Sequence, residues 1–462
     1  MENMGYRARI LPAASTRDLL VGRELADIGQ CCPTSFTTGN LANFLRAEAD
    51  RIGADNVANN YVYLTAGACG SCRFGQYHQS YELALRNIGM EAFRIFLLDQ
   101  RNLNQGSPEA GLDLSVPFIA GAVWALVVTD VIQDLEYQVR PYETKAGETE
   151  RVVRESVDYL YEVFRRRPYR GKKWDAVLWH FGTRYFLNAL REVRERFDSI
   201  EVDRLRVRPV VKITGEFYLQ TVEGAPNHDI HRWLETEGAE VYPAAVTVWL
   251  DYLLRLTRQK LEDHVGIQRH ARLKLGAVCV IQSALRWTYG RMRKALGDVP
   301  RALPDQYELA RLAAPYYNSR LTGGEGDMLI GKALWAYHRK KAHMTCELSP
   351  YSCMPNTMSI GAMAAVRGHY PDLLYAPIEI KGDAEVHALS RCQMVLAEAR
   401  KRAQQEYEDA LERTGLSDAH VRSAIEQRPQ LRRAACRIPH YGIVAGSAAN
   451  LVLHIAANRR RC

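Results

Sequence analysis

Apolar residues along this chain of 462 residues follow two spacings, which together predict alternating strands and helices. Short continuous apolar runs are typical of buried strands. These runs lie at 8–11, 61–64, 92–97, 209–216, 239–242, 343–348 and 374–380. Between most of them, apolar positions recur three and four residues apart, as on one face of a helix. This alternation predicts βαβ units with parallel strands and right-handed crossovers.

The order of these elements predicts an α/β fold with two Rossmann-like lobes, each built on a parallel sheet. The first lobe covers residues 1–200 and ends in a helical extension. The second covers residues 201–430 and is interrupted by a large helical insertion at about 245–320. Residues 431–462 predict a C-terminal helix rich in small residues and a basic tip.

Composition and charge are those of a soluble protein with a substantial core. Apolar residues make up 47% of the chain and charged residues 25%, so extensive disorder is not expected. The net charge of +8 most often serves solubility alone, and we predict no nucleic-acid partner. We find neither a secretory signal nor an apolar run of membrane-spanning length, which predicts a cytoplasmic protein without a membrane partner. Its ten cysteines are then expected to be thiols or metal ligands.

Four cysteines stand directly ahead of predicted helices. Cys69 and Cys72 form a Cys-x-x-Cys pair between the strand at 61–64 and a helix at 77–88. Cys31 precedes a helix predicted at 37–51, and Cys353 follows the strand at 343–348. The free N–H groups at a helix start favour thiolate over thiol. Because ligands gather at the carboxyl ends of parallel strands, all four thiolates are expected to face one cleft.

Four convergent thiolates suit an iron–sulfur cluster, zinc or copper(I). Only one close pair is present, which favours a cluster shared between lobes over a compact zinc knot. The alternative is that these are ordinary buried cysteines, which behave as small apolar residues. Cys32 could replace Cys31 as a ligand, and Cys346 is expected in the core. The remaining cysteines are assigned to ordinary packing or to the terminus: Cys279, Cys392, Cys436 and Cys462.

Other polar candidates carry less information. His228 and His231 lie three apart on one predicted helix, where surface or substrate contact is favoured over metal binding. Glu216 follows a strand. It is either a carboxylate in the cleft, suited to general acid or base catalysis, or a solvated loop residue. The glycine-rich stretch at 323–326 lacks the Gly-Lys-Ser/Thr of a phosphate loop.

Five motifs occur together in this chain in a characteristic order. They are Cys31-Cys32-Pro33-Thr34 with Thr38-Gly39, Ala68-Cys69-Gly70-Ser71-Cys72-Arg73-Phe74-Gly75-Gln76-Tyr77, Ile213-Thr214-Gly215-Glu216, Gly324-Glu325-Gly326 and Pro350-Tyr351-Ser352-Cys353-Met354-Pro355-Asn356. The chain thereby resembles the acyl-CoA dehydratase activase-related proteins of the 2-hydroxyacyl-CoA dehydratase and benzoyl-CoA reductase superfamily. That superfamily also includes the double-cubane cluster proteins.

The resemblance implies an oxygen-sensitive protein with a 4Fe–4S cluster, or its double-cubane variant, between two Rossmann-like lobes. Carried over by position, the ligands are Cys31, Cys69, Cys72 and Cys353. The implied partner is a separate ATP-hydrolysing activase with its own iron–sulfur cluster, which supplies low-potential electrons. Gln30 and Ser71 stand where glutamate and proline are common in the family. The resemblance therefore does not predict how the protein tunes the reduction potential of the cluster.

The implied activity is that of an iron–sulfur-dependent reductase or an acyl-CoA dehydratase-like lyase acting on a small or CoA-linked substrate. Whether the chain is an enzyme stays open, as does its assembly into a homodimer or heterodimer. The alternative function is a non-catalytic partner or maturation subunit that holds a structural zinc ion, a cluster or no metal.

Overall fold

The computed structural model describes residues 2, 6–26, 29–67, 72–98, 116–168, 174–321 and 324–459. Within these ranges most of the chain is helical. The N-terminal helices are α1 Thr16–Leu25, α2 Cys32–Ile52, α3 Ala54–Asn60, α4 Tyr77–Asn87, α5 Val116–Val139, α6 Glu148–Arg165, α7 Trp174–Gly182 and α8 Tyr185–Asp198. The later helices are α9 Phe217–Thr221, α10 Ile230–Thr236, α11 Val246–Asp263, α12 Ala271–Ala295, α13 Gln306–Ala313, α14 Gly326–His338, α15 Met354–His369, α16 Glu385–Thr414, α17 Asp418–Glu426 and α18 Ser447–Arg459.

The strands form two small sheets, and both sheets are parallel. The strands are β1 Val62–Ala66, β2 Arg94–Leu98, β3 Val210–Gly215, β4 Glu240–Tyr242, β5 Met344–Pro350 and β6 Leu374–Ile380. β1 pairs with β2, and the second sheet has the order β4-β3-β5-β6. A mixed α/β fold with parallel sheets is therefore confirmed, while the finer description as Rossmann-like lobes stays a prediction.

The predicted strand at 8–11 is wrong. Residues 6–15 form no regular element, and Ile10 is 95% exposed, so this apolar run buries nothing. The predicted helix over 37–51 begins earlier, at Cys32, with Pro33 in its first turn, where a missing N–H is tolerated. The segment between β4 and β5 is helical, as the predicted insertion requires, and consists of α11, α12, α13 and α14.

Three of the seven hydrophobic clusters among the described residues position the elements discussed below. A helical core is formed by α5, α6, α8 and α12 and includes Val131 and Leu190. A sheet core lies on the four-stranded sheet and includes Ile213 and Ile378. An N-terminal core joins α2, α3 and α4 and includes Tyr81.

One helical segment in the described ranges, Phe118–Tyr142, is long and apolar enough to cross a membrane, with a mean hydropathy of 1.6. It overlaps α5, whose residues Val127, Val131 and Leu135 are buried in the helical core. The structure thus uses this segment as a core helix.

Helices α1 and α2 cross with their backbones in contact. A Cβ atom built on Gly39 would lie 1.8 Å from the carbonyl oxygen of Asp18, and one on Gly22 would lie 1.8 Å from that of Ser35. Two glycines facing each other therefore permit the crossing. It fixes the start of α2, which carries Cys31, against the rest of the molecule.

Candidate functional site of thiols and carboxylates

Three of the four predicted cysteines occupy the N-cap position of a helical segment. Cys31 caps α2, Cys353 caps α15, and Cys72 caps the short 3-10 helix Arg73–Gln76 that leads into α4. The first N–H groups of a helix have no partner within it, and its dipole is positive at this end. Each of these cysteines thus lies at the start of a helical segment, as the sequence predicted, but burial raises the pKa of all three thiols. Cys69 lies outside the described residues.

The caps at Cys31 and Cys353 share a local pattern that sequence reasoning missed. Each cysteine is followed after one residue by proline, and the residue after that proline bonds back to the thiol. The Sγ atom of Cys31 lies 3.1 Å from the Oγ1 atom of Thr34, and the thiol of Cys353 donates to the Oδ1 atom of Asn356 at 3.3 Å. The signal was present in the sequence as Cys-x-Pro-Thr and Cys-x-Pro-Asn.

These thiols are close enough to influence one another's protonation. Burial raises the pKa of Cys353, and the charges of Glu216, Cys72 and Cys31 raise it further, against a backbone hydrogen bond that lowers it. Burial likewise raises the pKa of Cys72 to about 11, with added contributions from Glu216, Cys31 and Glu325. The charges of Cys31 and Cys72 therefore reach Cys353, and the charge of Cys31 reaches Cys72.

Cys31 is held by hydrogen bonds as well as by packing. Burial raises its pKa, while hydrogen bonds with Thr34 and Tyr77 lower it. The hydroxyl of Tyr77 lies 2.9 Å from the Sγ atom of Cys31, inside the N-terminal core. Cys32, by contrast, packs into the sheet core. Since Cys31 and not Cys32 contributes to the pKa shifts of Cys72 and Cys353, Cys31 is the better ligand candidate of the two.

Glu216 is a partly buried carboxylate at the carboxyl end of β3. Its side chain caps α9 by accepting a hydrogen bond from the backbone N–H of Leu219 at 3.0 Å. Its own N–H donates to the carbonyl of Leu348 in β5 at 2.9 Å. Burial raises the pKa of Glu216 to about 7. The charge of Glu216 raises the pKa values of Cys31, Cys72 and Cys353, so its carboxylate acts electrostatically on these thiols.

Glu325 is a second carboxylate, which is buried and caps α14. Burial raises its pKa to about 8, Lys332 lowers it, and Glu216 and Glu347 raise it. The preceding Gly324 has a φ angle of +74°, and a Cβ atom there would lie 2.2 Å from the Cγ atom of Pro355. This close approach holds Glu325 near the start of α15, which Cys353 caps.

A hydrogen-bond chain connects Cys353 to the interior. Asn356, which accepts from that thiol, donates to the Oε1 atom of Glu347 at 3.0 Å. Ser359 and Tyr375 donate to the same carboxylate, each at 2.7 Å. Burial raises the pKa of Glu347, and these three donors lower it. The orientation of Asn356, and through it the thiol of Cys353, is thus fixed by a satisfied buried network.

The other cysteines and the two histidines lie elsewhere. Cys346 and Cys392 are fully buried in the sheet core with Sγ atoms 4.0 Å apart, which confirms their assignment to packing. His228 and His231 are 5% and 1% exposed, so the expected surface role is wrong. The Nδ1 atom of His231 lies 3.1 Å from the hydroxyl of Tyr137.

Within the described ranges, no three His, Cys, Asp or Glu side chains are arranged so as to hold a metal ion. Cys69, the fourth predicted ligand, falls outside these ranges. Comparisons of the chain with family models, curated proteins and solved structures found no match.

Proposed function

We propose that this chain is an iron–sulfur protein whose cluster is held by Cys31, Cys72 and Cys353, with Cys69 as the fourth ligand. One observation supports this most: two buried thiols and one partly buried thiol from separate segments, each at a helical N-cap, lie within electrostatic range of one another. Helix N-termini favour the negative charge of a thiolate-ligated cluster by about 0.3–1 kcal/mol each.

The donor chemistry of the site fits such a group. The charges of two carboxylates, the partly buried Glu216 and the buried Glu325, act on these thiols, and the main contributions to the thiol pKa values include no basic side chain. Ionised thiolates would therefore concentrate negative charge in a buried place, which is costly without a compensating cation. Iron supplies that positive charge and has the affinity for sulfur that the site offers.

The resemblance described above supports the direction of electron flow. A separate ATP-hydrolysing activase supplies low-potential electrons, and the cluster uses them for reductive or dehydratase chemistry on a small, possibly CoA-linked, substrate. A cluster stores and transfers single electrons at a potential set by burial and hydrogen bonds. In this chain, Tyr77, Thr34 and Asn356 are the residues that hydrogen-bond to the thiols.

The test begins with anaerobic purification and measurement of iron and acid-labile sulfide. We expect both to be present, either as purified or after reconstitution of the cluster under anaerobic conditions. A colourless protein that lacks both after reconstitution would refute the proposal. One equivalent of zinc per chain, without sulfide, would favour the structural-metal alternative.

Adjacent cysteines provide a matched pair of variants. Cys31→Ser should lower the bound iron, whereas Cys32→Ser, one residue away and equally buried, should retain it. Cys72→Ser and Cys353→Ser should behave like Cys31→Ser, and Cys392→Ser in the sheet core should not. Equal iron loss in the Cys31 and Cys32 variants would contradict the ligand assignment.

Electron transfer is tested separately. Reduction of the cluster by an activase only in the presence of ATP would identify an electron-accepting enzyme or carrier. Reduction that does not depend on ATP would contradict the proposed partnership while leaving the cluster itself intact.

A further inference from the structure

The side of α12 that faces solvent is apolar. Leu273, Val280 and Trp287 are seven residues apart from one to the next, so they lie on one side of the helix. These side chains are 74%, 69% and 52% exposed. The opposite side of α12 carries Leu285 and Tyr289, which lie in the helical core. Helix α12 is therefore apolar on two sides, and the residues that the structure describes cover only one of them.

The exposed apolar surface continues onto α7. The ring of Trp287 stacks on that of Phe181, with the two centroids 5.9 Å apart. Leu178 and Trp174 precede Phe181 by three and seven residues, so they lie on the same side of α7. Both are 69% exposed, and side chains this exposed project from the surface instead of lining a groove. Together with the three side chains of α12, Leu178 and Trp174 form what we call the α7–α12 face.

The charge around this face is positive. Helix α12 contains lysine and arginine but no aspartate or glutamate, and α7 contributes only Asp175. Arg272 and Lys274, on either side of Leu273, are exposed and make no hydrogen bond or ion pair with any residue that the structure describes. Both lie in the first turn of α12, where the positive end of the helix dipole disfavours a cation. A negatively charged partner would relieve this repulsion.

The acidic side chains at the end of α11, just before α12, do not neutralise these cations. Asp263 pairs with Arg320 at 2.8 Å, and Glu262 pairs with Arg258 at 2.8 Å. The loop between the two helices adds Arg269, which is exposed and has no partner among the described residues. The positive charge at this end of the face is therefore available to a partner.

Charge distinguishes between the possible occupants of the face. A second copy of this chain would bring a second basic α12 against the first, with no acidic side chain on either helix to pair with the cations. A surface of anionic lipids supplies negative charge, and its headgroup region accommodates projecting aliphatic side chains and tryptophan rings. Basic residues beside an exposed apolar helix side are the combination that binds such a surface.

We propose that the α7–α12 face binds the surface of an anionic membrane. Leu273, Val280 and the two tryptophans enter the headgroup region, and Arg272 and Lys274 lie against the anionic lipids. The prediction of no membrane partner rested on the lack of a membrane-spanning segment, and binding to a membrane surface needs none. This site does not depend on the iron–sulfur proposal, because none of its residues is a candidate cluster ligand.

The test is co-sedimentation of the full-length protein with lipid vesicles at low ionic strength. One vesicle preparation contains equal parts of phosphatidylcholine and phosphatidylserine, and the other contains phosphatidylcholine alone. We expect binding to the first to be at least about tenfold stronger than to the second, and to weaken as salt is added. Equal binding to the two preparations, or no binding by the folded protein, would overturn the proposal.

Charge variants locate the binding. One lysine or arginine near an anionic membrane strengthens binding about fivefold, so Arg272→Gln combined with Lys274→Gln should weaken it about 30-fold. The control, Arg17→Gln combined with Lys401→Gln, removes the same charge from exposed positions on α1 and α16 and should bind like the unaltered protein. Equal weakening in the two double variants would show that only net charge matters and would overturn the assignment to this face.

A second pair of variants tests the apolar part of the face. Val280→Asp should weaken vesicle binding about tenfold or more, since burying a valine side chain accounts for at least that factor. Val157→Asp in α6, where the valine is 52% exposed, is the control and should leave binding unchanged. Equal binding by the two variants would overturn the proposal. So would self-association that Val280→Asp abolishes in a protein that binds no vesicles, which would identify the face as an interface between copies. Iron measured in the same samples keeps these results separate from that for the cluster.

Discussion

The crossing of α1 and α2 yields a quantitative prediction for Gly39→Ala. The new Cβ atom would lie 1.8 Å from the carbonyl oxygen of Asp18 and 2.6 Å from the backbone nitrogen of Gly22. Cβ contacts under 3.0 Å are essentially never observed, so the gap to the Asp18 oxygen must widen by at least 1.2 Å. Because the clashing atoms are backbone atoms, no rotamer change relieves the contact.

The magnitude follows from two opposing effects. Overpacking of this kind costs about 1–3 kcal/mol, and we take the upper end, about 3 kcal/mol, because two backbones must separate. The upper end is appropriate because a gap of 0.5–1 Å between the helices already removes about a quarter to a half of the dispersion attraction between them. Against this, alanine is favoured over glycine inside a helix by about 1 kcal/mol. We therefore expect Gly39→Ala to lower the free energy of unfolding by about 2 kcal/mol.

Denaturant unfolding followed by circular dichroism measures this change. The matched control is Gly361→Ala in α15, since Gly361 is exposed and a Cβ atom there meets nothing within 4 Å. That control should gain about 0.5–1 kcal/mol from helix propensity alone. If Gly39→Ala changes stability by less than about 0.5 kcal/mol, the size of an ordinary surface effect, the close crossing of α1 and α2 is refuted.

Two further predictions concern buried charges. Arg255 pairs with Asp327 at 2.5 Å with both side chains buried, so Arg255→Met should cost about 3–5 kcal/mol in a denaturation experiment. The exposed pair of Arg320 and Asp263 provides the control, and Arg320→Met should cost about 1 kcal/mol or less. Similar losses in the two variants would contradict the role of burial. Burial raises the pKa of Glu325 to about 8 from 4.5, so the folded state holds a proton that the unfolded state has lost. Stability of the metal-free protein should thus fall as pH rises from about 4.5 to about 8, and Glu325→Gln should flatten this decline. The exposed variant Glu379→Gln is the control. If the free energy of unfolding of Glu325→Gln falls with pH as steeply as that of the control, Glu325 does not titrate in this way.

The sequence was informative wherever burial and chain direction determine structure. The fully buried strands β3 and β5 lie where the sequence predicts strands, and their parallel pairing is that expected of strands joined by helices. The placement of Cys31 and Cys353 could also be predicted, because a proline shortly after each cysteine is tolerated in the first turn of a helix but not in its interior. At 8–11 the same reasoning failed, since an apolar run predicts a strand only when a partner covers it.

Contacts between residues far apart along the chain could not be predicted from the sequence. The sequence placed Glu216 at the end of a strand, but it did not indicate that Glu216 and Glu325, which are far apart along the chain, both act by charge on Cys72. Periodicity reports which face of an element is buried but not what that face meets.

The adjacent residues Cys31 and Cys32 belong to different hydrophobic cores, the first to the N-terminal core and the second to the sheet core. Helix α2 therefore joins the two cores, since its residue Phe36 also lies in the sheet core and its residue Leu41 lies in the N-terminal core. Any ligand that fixes Cys31 would restrict the relative motion of the two cores. The restriction would include parts of the cores that the ligand does not contact. Amide hydrogen exchange offers a way to see this: on cluster loading, protection should rise in β3 and β5 as well as at the start of α2. Protection confined to α2 would show that the two cores move independently.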